Sequence, residues 1–207
     1  MEIKRLILGM VRTNCYIVYT EDTKKAVIID PAADSKRITE EVSALGVTPE
    51  AVLLTHGHFD HMLAAESLRN GYHIPVCILE EDAELLKNPE LNCSQLFLRM
   101  TYGISADEFL KDGQQLTYLD GKLKVIATPG HTAGSCCYWA EEENILFSGD
   151  TLFEGSVGRT DLPTGQAARL SESIREKLFV LPGNTLVLSG HGLETTIEEE
   201  KQHNPYV

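Results

Sequence analysis

Thr55-His56-Gly57-His58-Phe59-Asp60-His61 places three histidines and an aspartate within positions 56–61. Ala51-Val52-Leu53-Leu54, just before it, is an apolar run of strand length. Residues 62–68, just after it, carry helical spacing. The stretch therefore reads as a tight turn at the carboxyl end of a strand, where open α/β sheets place their ligand sites. Imidazole nitrogens and carboxylate oxygens are the ligands of zinc and related divalent ions. An extended backbone sends alternate side chains to one side, so His56 and His58 can converge on one ion. Asp60 and His61 fall where the chain enters the helix and could face a second. A lone histidine here would be an ordinary surface or core residue, and Asp60 alone an ordinary helix cap. Four ligand-type residues together point to a metal site.

The chain has 207 residues, which predicts one domain over 1–207. Its formal net charge of -13 disfavours a nucleic-acid or anionic-membrane partner, since phosphate binding needs clustered Lys and Arg. No apolar run has the length of a membrane span, and the N-terminus lacks a signal-peptide core, so the expected location is cytoplasmic. Five cysteines, at 15, 77, 93, 136 and 137, form no CxxC pair and read as reduced thiols.

Taken in order, 3–8, 15–19 and 26–29 read as strands, the last closed by Asp30-Pro31. Residues 35–45 have helical spacing with Gly46 as the stop. Residues 75–79 form another strand and 82–87 a short helix. The segment 88–113 is apolar without alternation; it reads first as a helical cover and second as the wall or lid of a pocket. A hairpin is expected over 114–127, turning at Asp120-Gly121. Strands follow at 135–140, 144–148 and 185–188, with an amphipathic helix over 166–180.

Four of these strands lead to a ligand-type residue: His56, His131, Asp150 and His191. Gly57, Gly130, Gly149 and Gly190 adjoin them and allow sharp turns or close backbone approach. If the strands share an edge, these residues meet His58, Asp60 and His61 in one cleft. Seven ligands exceed the needs of one tetrahedral zinc and suit two ions with a carboxylate between them. His73 and His203 lack the strand-end context.

The order HxHxDH, His, Asp, His resembles the metal-ligand signature of the metallo-β-lactamase superfamily along nearly the whole chain. The resemblance implies an α/β fold, the four-layer αβ/βα sandwich of two mixed sheets with helices outside. It implies one ion on His56, His58 and His131, another on Asp60, His61 and His191, and Asp150 bridging. Ser148-Gly149-Asp150-Thr151-Leu152-Phe153 and Gly158-Arg159-Thr160-Asp161 are similar to the glyoxalase II branch, narrowly to its short bacterial members, and to the persulfide dioxygenases. Larger glyoxalase II enzymes carry a helical domain that helps hold glutathione, and usually a Tyr at the position of Asp161.

The leading expectation is a metal-dependent hydrolase of small thioesters. A metal-bound hydroxide at a binuclear site attacks the carbonyl. Zinc is the first choice of metal and iron the second. Asp60 orients the hydroxide, and Arg159 binds a substrate carboxylate or forms a salt bridge within its loop. The alternative is a persulfide dioxygenase with one iron on His56, His131 and Asp150. A di-iron redox module, a β-lactamase, a nuclease and a non-catalytic binding protein rank lower. The expected partner is a small-molecule thioester, and the chain is expected as a monomer or small homo-oligomer.

Overall fold

A computed structural model describes residues 1–207. Strand β1 (Glu2–Leu8) pairs antiparallel with β2 (Thr13–Tyr19), and β2 with β3 (Lys25–Ile29). From there the pairing is parallel, through β4 (Thr48–Leu53), β5 (Val76–Leu79) and β6 (Glu108–Leu110). Parallel neighbours need crossovers. These are α1 (Ser35–Leu45), then α2 (Phe59–Met62) with α3 (Ala65–Tyr72), then α4 (Ala83–Lys87) with α5 (Ser94–Leu98). Helix α1 is capped at both ends: the Asp34 carboxylate accepts the Arg37 N–H, and Gly46 closes it at φ 64.

The chain then builds a second mixed sheet. Strand β8 (Cys136–Ala140) pairs antiparallel with both β7 (Lys124–Ala127) and β9 (Ile145–Gly149). A small ribbon, β10 (Leu152–Phe153) with β11 (Ser156–Val157), leads to α6 (Ala167–Ser173), which continues as a π-helical turn over Ile174–Leu178. Strand β12 (Leu186–Ser189) returns parallel to β9, β13 (Thr195–Thr196) pairs beside it, and α7 (Ile197–His203) follows.

Period-two alternation makes these sheets into layers. In β2, Tyr16 and Val18 face the second sheet while Cys15 and Ile17 face the helices. Between the sheets, Tyr16 and Phe147 meet edge to face at 5.3 Å. Outside the first sheet Ile38 and Val42 of α1 and Leu68 of α3 complete one core, and outside the second Leu170, Ile174 and Leu178 complete another. Each fully buried aliphatic side chain contributes about 1.5–3 kcal/mol. The order helix, sheet, sheet, helix is the predicted αβ/βα sandwich.

The structure corrects three expectations. The segment 88–113 is only partly helical: α5 is short, and the segment ends as β6, an edge strand of the first sheet. Its apolar residues therefore divide between a sheet edge and a pocket wall. The first arm of the 114–127 hairpin is reduced to a single bridge, Gln115 to Lys124, because Leu119, Asp120 and Gly121 all take left-handed φ. The four ligand-bearing strands do not share one sheet edge. β4 belongs to the first sheet and β7, β9 and β12 to the second. Their ends meet across the sandwich instead, stitched by Cys136 N–H to Thr55 O at 2.8 Å and Asn14 N–H to Gly190 O at 2.7 Å. Tyr138 Oη–H to Leu54 O at 2.6 Å and Tyr16 Oη–H to Ser189 O at 2.7 Å reinforce the same rim.

None of the five cysteines is paired and all are buried. No helix is long and apolar enough to cross a membrane.

Candidate metal centre

The turn after β4 and the loops after β7, β9 and β12 bring all seven predicted ligands together. Their donor atoms form three groups, each within 4.8 Å: His56, His58 and His131; His56, His61 and Asp150; and Asp60, His61 and His191. Asp150 faces several of these residues. Its Oδ1 lies 3.4 Å from His61 Nε2, and its Oδ2 lies 3.6 Å from both His131 Nε2 and His191 Nε2. Asp60 Oδ2 lies 3.3 Å from His191 Nε2 and 3.6 Å from His61 Nε2. His58 Nδ1 and His131 Nε2 face each other at 2.9 Å. His73 and His203 stay outside: His73 ends α3 in a left-handed conformation, and His203 pairs with Glu199 on α7.

The surrounding hydrogen bonds set which ring nitrogen carries the proton. Asp30 Oδ2 sits 2.9 Å from His61 Nδ1, so that nitrogen donates and Nε2 turns inward. Thr55 Oγ1 donates its only proton to Asp30 Oδ2 at 2.7 Å and therefore accepts from His56 Nδ1 at 3.1 Å. One carboxylate thus orients His61 directly and His56 through Thr55. His131 Nδ1 donates to the backbone carbonyl of Arg159 at 2.7 Å. In each case Nε2 is left as the ligand nitrogen.

Protonation follows the same division. Burial, with His61, His131 and His58 nearby, holds His56 well below the ordinary imidazole value. Burial and His131 push His58 down to about 3. Both are neutral near pH 7, the form that ligates a cation. Burial also opposes charge on His61, but the Asp30, Asp150 and Asp60 carboxylates outweigh it and raise its pKa well above the ordinary value. His191 is raised as well, where Asp60 and Asp150 overcome burial. Burial would raise Asp60 and Asp150; the histidines prevail and hold both carboxylates low, Asp150 strongly.

Four buried polar atoms of this cluster have no hydrogen-bond partner: His56 Nε2, His58 Nε2, His61 Nε2 and Asp150 Oδ1. An unpaired buried polar group costs about 1–3 kcal/mol, so such groups ordinarily find partners. His58 turns its Nδ1, not its Nε2, toward His131; the other three atoms belong to groups whose nitrogen and oxygen donors converge. Such a set fits a divalent cation, with imidazole and carboxylate suiting zinc or iron. The residues present therefore fit a metal ion. Gly190 makes room for this: a Cβ there would fall on the Asp150 carboxylate and the His61 ring.

The cluster forms the floor of a cavity of about 480 Å³. Val11, Phe59, Phe97, Phe153 and Leu162 form most of its walls, with Cys93 and Arg159. Phe97 comes from the 88–113 segment and stacks on Phe59 at 5.8 Å, so part of that segment is a pocket wall. The Arg159 guanidinium is gripped by Asp161 in two contacts of 2.7 Å, the loop salt bridge, while its carbonyl holds His131.

Three supporting residues escaped the sequence reading. Asp30 was visible only as the end of a strand, and Thr55 only as the residue before the first histidine. Asp82, expected to start a helix, is buried and accepts N–H groups from Gly57 at 3.0 Å and Gly134 at 2.6 Å and the Thr132 hydroxyl at 2.7 Å. It clamps the turn of His56 and His58 to the loop of His131. Burial raises its pKa against those hydrogen bonds. Nothing in local spacing marks such a clamp.

Comparison with known proteins agrees with this geometry. Residues 8–191 match the model of the metallo-β-lactamase superfamily. The probable metallo-hydrolase YqgX of Bacillus subtilis is 36% identical, covering 100% of this chain and 98% of the relative. The hydroxyacylglutathione hydrolase GloC of Haemophilus influenzae is 32% identical, again over 100% of this chain and 98% of the relative. Among solved structures, BLEG-1, described as a B3 metallo-β-lactamase, is 40% identical with a TM-score of 0.94, covering 99% of each chain. TTHA1623 in a di-iron-bound form is 32% identical with a TM-score of 0.89, covering 99% of this chain and 100% of its own. By fold, by ligand order and by these relatives, the chain belongs to the metallo-β-lactamase superfamily.

Proposed function

We propose that this metal-dependent hydrolase cleaves small thioesters at a two-ion site. The observation that carries the reading is the placement of Asp150. One oxygen faces His61 and the other faces His131 and His191, at the floor of an open, largely apolar cavity. His56, His58 and His131 would hold one ion, Asp60, His61 and His191 the other, with Asp150 between. Ions there supply Lewis acidity and lower the pKa of water toward ~7.

The side chains do the rest. Asp60, on the cavity floor, can accept a hydrogen bond from a water and orient it, while Thr13 Oγ1 at 3.4 Å and His191 hold its Oδ2 in place. Asp30 keeps His56 and His61 in the tautomers that present Nε2. Val11, Phe97, Phe153 and Leu162 offer an apolar surface against which apolar parts of the substrate can pack. The thioester choice is supported by similarity to GloC and by the 148–153 and 158–161 motifs. Expected partners remain small molecules, with zinc the first choice of metal and iron the second.

The test is kcat/KM for one acyl group carried on glutathione, on a smaller thiol and on a neutral thiol, with a β-lactam and a persulfide run beside them. Metal-dependent turnover of the thioesters supports the proposal. Turnover of only the β-lactam, or oxygen consumption with only the persulfide, would overturn it in favour of the corresponding rival.

A further inference from the structure

Five of the residues lining the cavity form the floor: His58, Asp60, His131, Asp150 and His191. Above the floor the wall is apolar apart from one cation, Arg159. Of the lining residues, Val11 and Phe97 are also exposed to solvent. Among the lining residues Arg159 is the one arginine or lysine that can partner a substrate carboxylate, and desolvated carboxylates need charged or hydrogen-bonding partners.

Arg159 does not stand free. Its Nε and Nη2 donate to the two oxygens of Asp161, each at 2.7 Å. That is the bidentate fork geometry with which arginine recognises any carboxylate. Asp161 is only two residues away and occupies the position that a substrate carboxylate would take. A ligand carboxylate must either displace this locally concentrated partner from the Nε–Nη2 side or settle for the remaining Nη1 and Nη2 donors beside it. It must also approach a negative charge. The fork and its occupant are both solvent-exposed, at 55% and 69% of their side-chain surface. An exposed pair of this kind adds little to stability. Arg159, its basic member, lines the cavity, and that gives the pair a different use.

We propose that Asp161 is a specificity determinant: by occupying the Arg159 fork it turns the cavity toward uncharged, apolar thioesters and away from anionic thiol carriers. The neutral acyl and thiol portions then bind against Val11, Phe97 and Phe153. The inference deepens the thioester reading and takes its class of probe from it, but the test does not require turnover.

The probes are two thioethers that cannot be hydrolysed, S-hexylglutathione and the hexyl thioether of N-acetylcysteamine. Each is titrated calorimetrically into the metal-loaded protein. The parent is expected to bind the neutral probe at least as tightly as the anionic one. Asp161→Asn should tighten S-hexylglutathione about tenfold, the scale of one charge-assisted contact, and leave the neutral probe within about twofold. Arg159→Leu added to Asp161→Asn should erase the gain, since the freed fork is its cause. An unchanged ratio in Asp161→Asn, a gain that survives Arg159→Leu, or failure of the neutral probe to bind the parent would overturn the proposal. A shifted ratio in a protein that hydrolyses no thioester would sink only the reaction. An unshifted ratio in a competent thioesterase would sink only the role of Asp161.

Discussion

The two halves of the sandwich supply the centre in different ways. The first sheet delivers four ligand-type residues from one turn after β4, and the second delivers three, one from each of three loops. The supports differ as well. His56 and His61 are oriented by a buried side chain, Asp30, whereas His131 is oriented by a backbone carbonyl, that of Arg159. A dense turn leans on one carboxylate that a single substitution can remove. A dispersed set leans on backbone that substitution leaves in place. The first half should therefore be the more fragile to mutation away from the ligands.

The largest effect is expected where the halves meet. Asp150→Asn replaces a carboxylate facing His61, His131 and His191 with a neutral amide. It should weaken binding of both ions and lower kcat/KM by about a hundredfold or more, the scale of losing one preorganised electrostatic group. Metal content and hydrolysis measured on the same preparation check this. An Asp150→Asn protein with two ions and parental activity would break the account.

Next come His61→Ala and His191→Ala, one residue from each half. Each should remove about one equivalent of metal and much of the activity, leaving the His56, His58 and His131 group occupied. If both variants keep parental metal content, Asp60, His61 and His191 do not form a second site.

Asp30→Asn probes the asymmetry itself. The amide leaves His61 and Thr55 without their carboxylate, and metal affinity should fall about 10–100-fold, the usual cost of removing such a partner. Competition with a chelator measures it. Arg159→Leu is the matched change in the other half. It leaves the carbonyl that holds His131 and should change metal affinity by less than about twofold, as surface substitutions usually do. Equal losses in the two variants would erase the distinction.

Asp82→Ala tests the clamp between the halves. It strands the N–H groups of Gly57 and Gly134, which should cost about 3 kcal/mol and lower Tm by about 6–12 °C. Thermal unfolding of the metal-loaded protein is the readout. A shift of less than about 2 °C would show that water replaces the carboxylate there.

Sequence reading succeeded where the information was local. The alternation in β2 and the density of His56, His58, Asp60 and His61 were legible because each lies within a few residues. His131, Asp150 and His191 were legible as strand ends beside glycine, and more firmly by resemblance to a known ligand order. Asp30 and Asp82 act across 25 to 52 residues of separation, and Thr55, although it adjoins His56, takes its role from Asp30 25 residues away; nothing near them in the chain marks these distant partners. The segment 88–113 misled because apolar residues without alternation look alike whether they cover a core, line a pocket or, as Phe109 does, sit on an edge strand. Arg159 was named for its side chain. Its carbonyl, set by the loop that passes His131, could not be read from residue type.

The central claim is that two ions share one site across the two sheets. Stepwise metal loading of the stripped protein, with bound metal counted by mass spectrometry and thioester hydrolysis assayed at each step, tests it most directly. The account predicts saturation at two ions per chain, with hydrolysis rising as the second ion binds and a plateau at one ion in His61→Ala. Saturation at a single iron per chain, with His61→Ala indistinguishable from the parent, would contradict it.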